Sequence, residues 1–116
     1  MVPVDIALES CIRSKQRKVT MLFAVIRHDK PNSLSLRLSE RPKHLEYLKA
    51  DLDKIMYGGA LLDNEGRQIG SVLIIDVADK AAADAFAVAD PFVDAGLFAS
   101  TSVQQFRQVF KDGSWL

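Results

Sequence analysis

A single cysteine, Cys11, stands in a chain of 116 residues, so no internal disulfide can form and a reducing, cytoplasmic setting is expected. Nor is there an excess of either charge. Fifteen Lys and Arg face fifteen Asp and Glu, for a formal net charge of zero. Non-specific capture of nucleic acid or of an anionic membrane surface needs a basic excess, so neither partner is expected. Long apolar runs are missing as well: none approaches the roughly 20 residues of a membrane span, and no continuous apolar stretch marks a secretory signal. Asp5 and Glu9 count against an organelle transit peptide. Only two histidines occur, His28 and His44, with no ligand-spaced cluster around them, so no metal site is expected. Cys11 has neither a nearby histidine nor a flanking nucleophile motif, and Gly58-Gly59 is too short for a phosphate-binding loop. No cofactor is called for.

What remains is ordinary globular composition, 48% hydrophobic and 26% charged, in a chain long enough to bury one core without disulfides. Residues 1–20 read differently from the rest. Asp5 to Lys18 carries a thin apolar stripe that suits a helix, and Arg13, Lys15, Arg17 and Lys18 form a basic run before the first strong strand. This segment is taken as an N-terminal extension without chemistry of its own, with a basic arm for a partner as the alternative, and residues 21–116 as the domain.

Met21–Ile26 is a compact apolar run of β-formers and predicts a buried strand. Pro31, Asn32 and Ser33 break it. Leu45, Leu48, Leu52 and Ile55, spaced by 3, 4 and 3, predict a helix over about Glu40–Lys54, with Pro42 tolerated in its first turn. Gly58-Gly59 should end that helix, and Ala60–Leu62 should begin a second strand. Asp63-Asn-Glu-Gly66 has hairpin-turn chemistry, and Gly70–Val77 is the strongest strand. Asp79 is an N-cap for a helix over Lys80–Ala89, with Ala82, Ala85, Phe86 and Ala89 inward. Asp90-Pro91 should stop it. A last strand is expected over Phe98–Phe110, bulged near Gln104-Gln105. The order β-α-β-β-α-β is a ferredoxin-like α+β sandwich with an antiparallel sheet. Helices cover one face only, yet the strands are apolar on both, so a face-to-face homodimer is expected, with Trp115 as a packing anchor across it.

In that order several segments resemble the YciI-like proteins of the YCII-related domain family. They are Met21–Ile26, Asp29–Leu34, Arg37–Leu45, Gly58–Leu62, Gly70–Ile74, Ala89–Leu97 and Phe106–Phe110. Arg-x-x-His-Leu followed by Asp-Pro-aromatic-x-x-Ala-Gly carries the likeness best. The chain departs from the family in lacking the proline and the longer insertion after Gly58-Gly59, in having histidine at position 28, and in residues 1–20. The resemblance implies a dimeric α/β barrel, in which two ferredoxin-like sheets face each other. It also implies a pocket with a His–Asp pair, placed here at His44 and Asp90. Relatives include an enzyme that removes chloride from a chlorinated hydroxyquinol, and the domain is similar to muconolactone isomerases.

An imidazole oriented by a carboxylate can abstract a proton beside a carbonyl or hydroxyl, which permits isomerisation or elimination. His44 and Asp90 are therefore the candidate catalytic pair of a cofactor-independent lyase or isomerase acting on a small polar or aromatic acid. Only tertiary structure can join them; apart, His44 is a surface helix residue and Asp90 a helix breaker. Ser39 and Arg41 are candidate substrate-binding residues, the arginine for an anionic group, although Ser39 also reads as the N-cap of the helix bearing His44. His28 and Asp29 read as a solvated strand end, with a pocket mouth as the alternative. A non-catalytic ligand-binding or regulatory dimer with the same pocket is the rival reading.

Overall fold

The computed structural model describes residues 21–116; the expected helix over Asp5–Lys18 and Cys11 lie outside them. The elements are β1 (Met21–Asp29), α1 (Leu34–Ala50), a 3₁₀ turn (Leu52–Lys54), β2 (Ile55–Leu62), β3 (Gln68–Val77), α2 (Lys80–Val88), α3 (Pro91–Asp94), β4 (Phe98–Phe106), and a terminal hairpin of β5 (Phe110–Lys111) and β6 (Ser114–Trp115). Four strands form an antiparallel sheet in the order β2-β3-β1-β4. This is the ferredoxin-like α+β plan expected from the sequence.

Alternation in β1 decides what faces the helices. Phe23 pairs with Ile75, Val25 with Leu73 and Arg27 with Ser71, so these residues share one face of the sheet. Phe23, Val25, Ile75 and Val77 close on Ala83, Phe86 and Ala87 of α2, with Tyr47, Leu48, Ile55 and Val103 packed around them. Further along β1 the same row turns from apolar to charged, through Arg27 to Asp29. That end of the sandwich holds the site. The opposite phase of β1 (Leu22, Ala24 and Ile26) and Val72 and Ile74 of β3 line the face without helices.

Several boundaries differ from the sequence-based expectation. Asn32, at φ 58°, closes a tight turn after β1, so α1 begins at Leu34 rather than near Glu40, with the Arg37 amide donating to the Ser33 carbonyl. Pro42 consequently sits in the helix interior. It has no N–H for the Leu38 carbonyl four residues back, but both residues lie on the exposed side, where solvent can meet that carbonyl. Gly58-Gly59 does not end the helix; the 3₁₀ turn does, and both glycines lie within β2. A Cβ on Gly58 would stand 2.5 Å from both Leu73 Cδ2 and the Val72 carbonyl oxygen, so the close strand approach, not a helix stop, requires glycine.

The Asp63 turn forms as expected: its carboxylate accepts from the amides of Glu65 and Arg67, and Gly66 takes φ 81°. Asp79 caps α2 by accepting from the Ala82 amide. The buried face of α2 is Ala83, Phe86 and Ala87, with Ala82 partly buried; Ala85 and Ala89 are exposed. β4 ends at Phe106, and its register with β1 is unbroken at Gln104 and Gln105; the irregularity lies between His28 and Asp29. The chain then turns through Asp112 and Gly113, both at positive φ, into the terminal hairpin. There Trp115 is 74% exposed and packs on Phe110 at 4.4 Å between ring centroids. Among the described residues no helix is long and apolar enough to cross a membrane.

Candidate active site

The site is built where α1 crosses the charged end of the sheet and the α2–α3 junction meets it. Arg37, Arg41, His44 and Leu48, spaced by 4, 3 and 4, form one stripe of α1, and all four line a cleft of about 290 Å³. Leu45 and Leu52 extend the apolar wall; Ile55, Gly58, Ala60, Gln68, Ser71 and Leu73 of β2 and β3 form the other side. The missing side chain of Gly58 therefore also leaves room in the cleft.

Asp90 comes from the opposite direction. It follows α2, as the sequence implied, and is at the same time the N-cap of α3, accepting from the Phe92 amide at 2.9 Å. The residue is only 1% exposed. Its Oδ1 lies 2.9 Å from His44 Nδ1, and its Oδ2 accepts from Arg27 Nη1 at 2.8 Å. The fold thus brings together two residues 46 positions apart in the chain. The imidazole stacks on Phe92, with centroids 4.2 Å apart and planes within 17°. Phe92 in turn meets Phe98 edge-on. With Nδ1 and the ring face both held, His44 is 14% exposed, and no other described residue hydrogen-bonds to its Nε2.

A carboxylate accepts hydrogen bonds and cannot donate them, so a neutral imidazole bonded to one through Nδ1 donates from Nδ1 and keeps its lone pair on Nε2. Burial pushes the Arg27 guanidinium below its ordinary range, opposed by the charge of Asp90. Tyr47 is pushed well above the ordinary phenol range by burial and then by the Asp90 charge; its hydroxyl donates to the Phe86 carbonyl and stays protonated. Away from the cleft, hydrogen bonds from the Arg67 backbone hold Asp63 low.

Arg37 is buried, and its Nε and Nη2 grip both oxygens of Asp29 at 2.7 and 2.9 Å, so Asp29 is not the solvated strand end its position suggested. His28 is exposed, on the other phase of the strand. Arg41 stands exposed at the cleft mouth and makes no ion pair with any described residue. Ser39 points elsewhere. Its hydroxyl donates to the Leu36 carbonyl within the helix, it does not line the cleft, and the N-cap position belongs to Ser33. Among the described residues no group of three or more His, Cys, Asp or Glu could hold a metal ion.

Arg27, the Arg37–Asp29 pair and the Phe92 shelf were not among the sequence candidates. Arg27 had a signal. An arginine on the inward phase of an apolar strand, two residues after Val25, demands a buried acceptor.

The fold and this cluster define a ferredoxin-like domain with a carboxylate-oriented histidine at a cleft between helix and sheet. The chain belongs to the YCII-related domain family, whose pattern matches residues 21–107. It is 35% identical to Protein YciI of Escherichia coli over 98 residues, 78% of this chain and 100% of that protein. An uncharacterized protein of Haemophilus influenzae is 32% identical over the same shares. Among solved structures it resembles the 5-chloro-2-hydroxyhydroquinone dehydrochlorinase of Burkholderia phenoliruptrix, determined in complex with 2,5-dihydroxybenzoquinone. That likeness has 35% identity and a TM-score of 0.71, covering 76% of this chain and 95% of the other.

Proposed function

We propose that the protein is a cofactor-independent lyase or isomerase for a small hydroxylated ring compound or ring acid, with His44 as the proton carrier and Asp90 as its orienting partner. The observation that carries this reading is the 2.9 Å contact between Asp90 Oδ1 and His44 Nδ1, beside a cleft into which no described group occupies Nε2. The size and apolar walls of the cleft suit a single ring. Arg41, which makes no ion pair with any described residue, meets an anionic substituent or the oxyanion that forms during reaction.

The chemistry uses one base twice. His44 Nε2 takes a hydroxyl proton, the oxygen becomes a carbonyl, and the ring electrons accept the same proton at carbon; that step alone is an isomerisation. Where this carbon bears a leaving group, loss of a second hydroxyl proton to Nε2 forms another carbonyl and expels the leaving group with its bonding pair. The net loss is one HX, with no oxidant or reductant.

The direct test uses the neighbour's compounds as probes: chloride release from 5-chloro-2-hydroxyhydroquinone, and binding of 2,5-dihydroxybenzoquinone by calorimetry. Turnover by the full chain is expected, and Arg41→Gln should weaken quinone binding roughly tenfold, about 1.4 kcal/mol, the worth of one charge-assisted hydrogen bond. Binding without turnover of this or any related hydroxylated ring would favour the ligand-binding or regulatory reading.

The same proposal includes a homodimer. Leu22, Ile26 and Val72, all partly exposed, make the helix-free sheet face apolar, and a second sheet packed about 10 Å away would cover it. Sedimentation velocity at micromolar concentration should give twice the 12.8 kDa chain mass. A monomer there would overturn this part.

A further inference from the structure

Two arginines are buried on the helix-facing side of this domain, and they use their partners in different ways. Arg37 takes both oxygens of Asp29 with Nε and Nη2, so Asp29 has little left to offer a neighbour. Arg27 engages Asp90 end-on. Nη1 donates to Oδ2 at 2.8 Å, Nη2 donates to the Ala87 carbonyl at 3.2 Å, and Nε makes no hydrogen bond. Its guanidinium carbon lies 4.7 Å from the centre of the Phe98 ring, which fixes the plane from one side. The consequence falls on the other carboxylate oxygen: Oδ1 is left for His44 Nδ1 and the Phe92 amide.

We infer that Arg27 is a positioning residue for His44: through Asp90 it fixes the imidazole tautomer that leaves the lone pair on Nε2, facing the cleft. This rests on the reading of His44 as the proton carrier. The step depends on the charge of Asp90. Burial disfavours a charged carboxylate, and without Arg27 the partners of this one would be an amide and an imidazole. A neutral Asp90 could donate its own proton to Nδ1, and the imidazole N–H would then move to Nε2 and remove the base. A buried cation on Oδ2 blocks that outcome, because ionised Asp90 is the partner that neutralises it. Of the other groups nearby, Arg37 is closed on Asp29, and the Tyr47 hydroxyl donates to the Phe86 carbonyl. Arg27 does not line the cleft, so its effect must travel through Asp90.

The test needs no substrate. The full chain has two histidines, so a His28→Gln background leaves His44 as its only imidazole. Its ring-nitrogen ¹⁵N resonances distinguish a protonated nitrogen from one carrying a lone pair. In the Arg27-containing protein, Nδ1 should be of the protonated type and Nε2 of the lone-pair type. Arg27→Met should shift the tautomer ratio by roughly tenfold or more toward Nε2–H, the scale of one charged hydrogen bond. Arg27→Lys, which keeps the charge, should retain most of the original pattern. Should the Met variant not fold, Arg27→Gln set against Arg27→Lys makes the same comparison. An unchanged tautomer in the Met or Gln variant, or a Lys variant as altered as they are, overturns the inference while leaving His44 as the proton carrier. A lone pair on Nδ1 in the Arg27-containing protein would overturn both.

Discussion

Replacing His44 by glutamine is expected to lower turnover of a hydroxylated ring substrate by roughly 10²–10⁴-fold, the usual worth of a positioned general acid–base. Ligand affinity should stay near that of the parent protein. The separation follows from where the side chain sits. His44 shares the cleft with Arg41, the four leucines and β2–β3, so removing one imidazole leaves most of the binding surface intact. What disappears is the lone pair on Nε2, which matters only when a proton moves. Turnover and kcat/KM should therefore fall together, the signature of an interaction made in the transition state alone. Glutamine keeps an N–H donor on a side chain that can approach Oδ1 of Asp90, so the buried carboxylate need not lose all its partners. An unaltered rate of chloride release in His44→Gln, with the protein folded by circular dichroism, would end the catalytic reading of this residue.

How far the sequence led to that residue is instructive. Periodicity at Leu45 and Leu48 was enough to put a helix against the sheet, but Leu52 and Ile55, the next two steps of that stripe, lie in the 3₁₀ turn and in β2. It could not place the start of α1. A prolyl residue inside a helix is costly on average, so Pro42 argued for a beginning near Glu40, whereas the exposed position of Leu38 and Pro42 makes the missing hydrogen bond tolerable. Gly58-Gly59 misled for a related reason. Glycine marks both helix ends and close strand approaches, and only the position of Leu73 across the pair distinguishes them.

The site was less legible than the fold. Nothing local joins His44 to Asp90; the resemblance named the pair, and the packing of α1 against the α2–α3 junction supplies the contact. The apolar run that marks the first strand ends at Ile26, one residue short of Arg27. Extending the alternation by one step places an arginine in the core, and a core arginine must have a carboxylate to meet. Arg41, proposed from the sequence as a partner for an anionic group, lines the cleft and makes no ion pair with any described residue. Ser39, two residues earlier, was not separable from it by sequence: 100° per residue puts it on the exposed side, bonded to its own helix.

The largest expected loss of stability belongs to Asp90→Ala. Its carboxylate accepts from Arg27, His44 and the Phe92 amide, and three donors would lose it at once. Arg27 dominates. Removing one partner of a buried ion pair costs roughly 3–5 kcal/mol, because the remaining charge has neither water nor counter-charge. Loss of the N-cap on α3 is worth about 1 kcal/mol by itself, but the terms share one carboxylate and do not add independently. Set against a total stability of about 5–15 kcal/mol, the variant should sit near the edge of folding. At about 4 °C or more per kcal/mol for a domain of this size, its melting temperature should fall by on the order of 12–20 °C. The decisive comparison is the double variant Arg27→Met/Asp90→Leu, which removes both charges and fills the space with apolar groups. Such replacements are often neutral for stability, so it should recover most of what Asp90→Ala loses while leaving His44 without its orienting carboxylate. That outcome would separate the two uses of Asp90, since a stable protein that has lost turnover shows the buried pair to be retained for the histidine rather than for the fold. A loss below about 1 kcal/mol in Asp90→Ala, within the ordinary range for single substitutions, would mean that Arg27 finds another partner and that Asp90 is not the centre of this cluster.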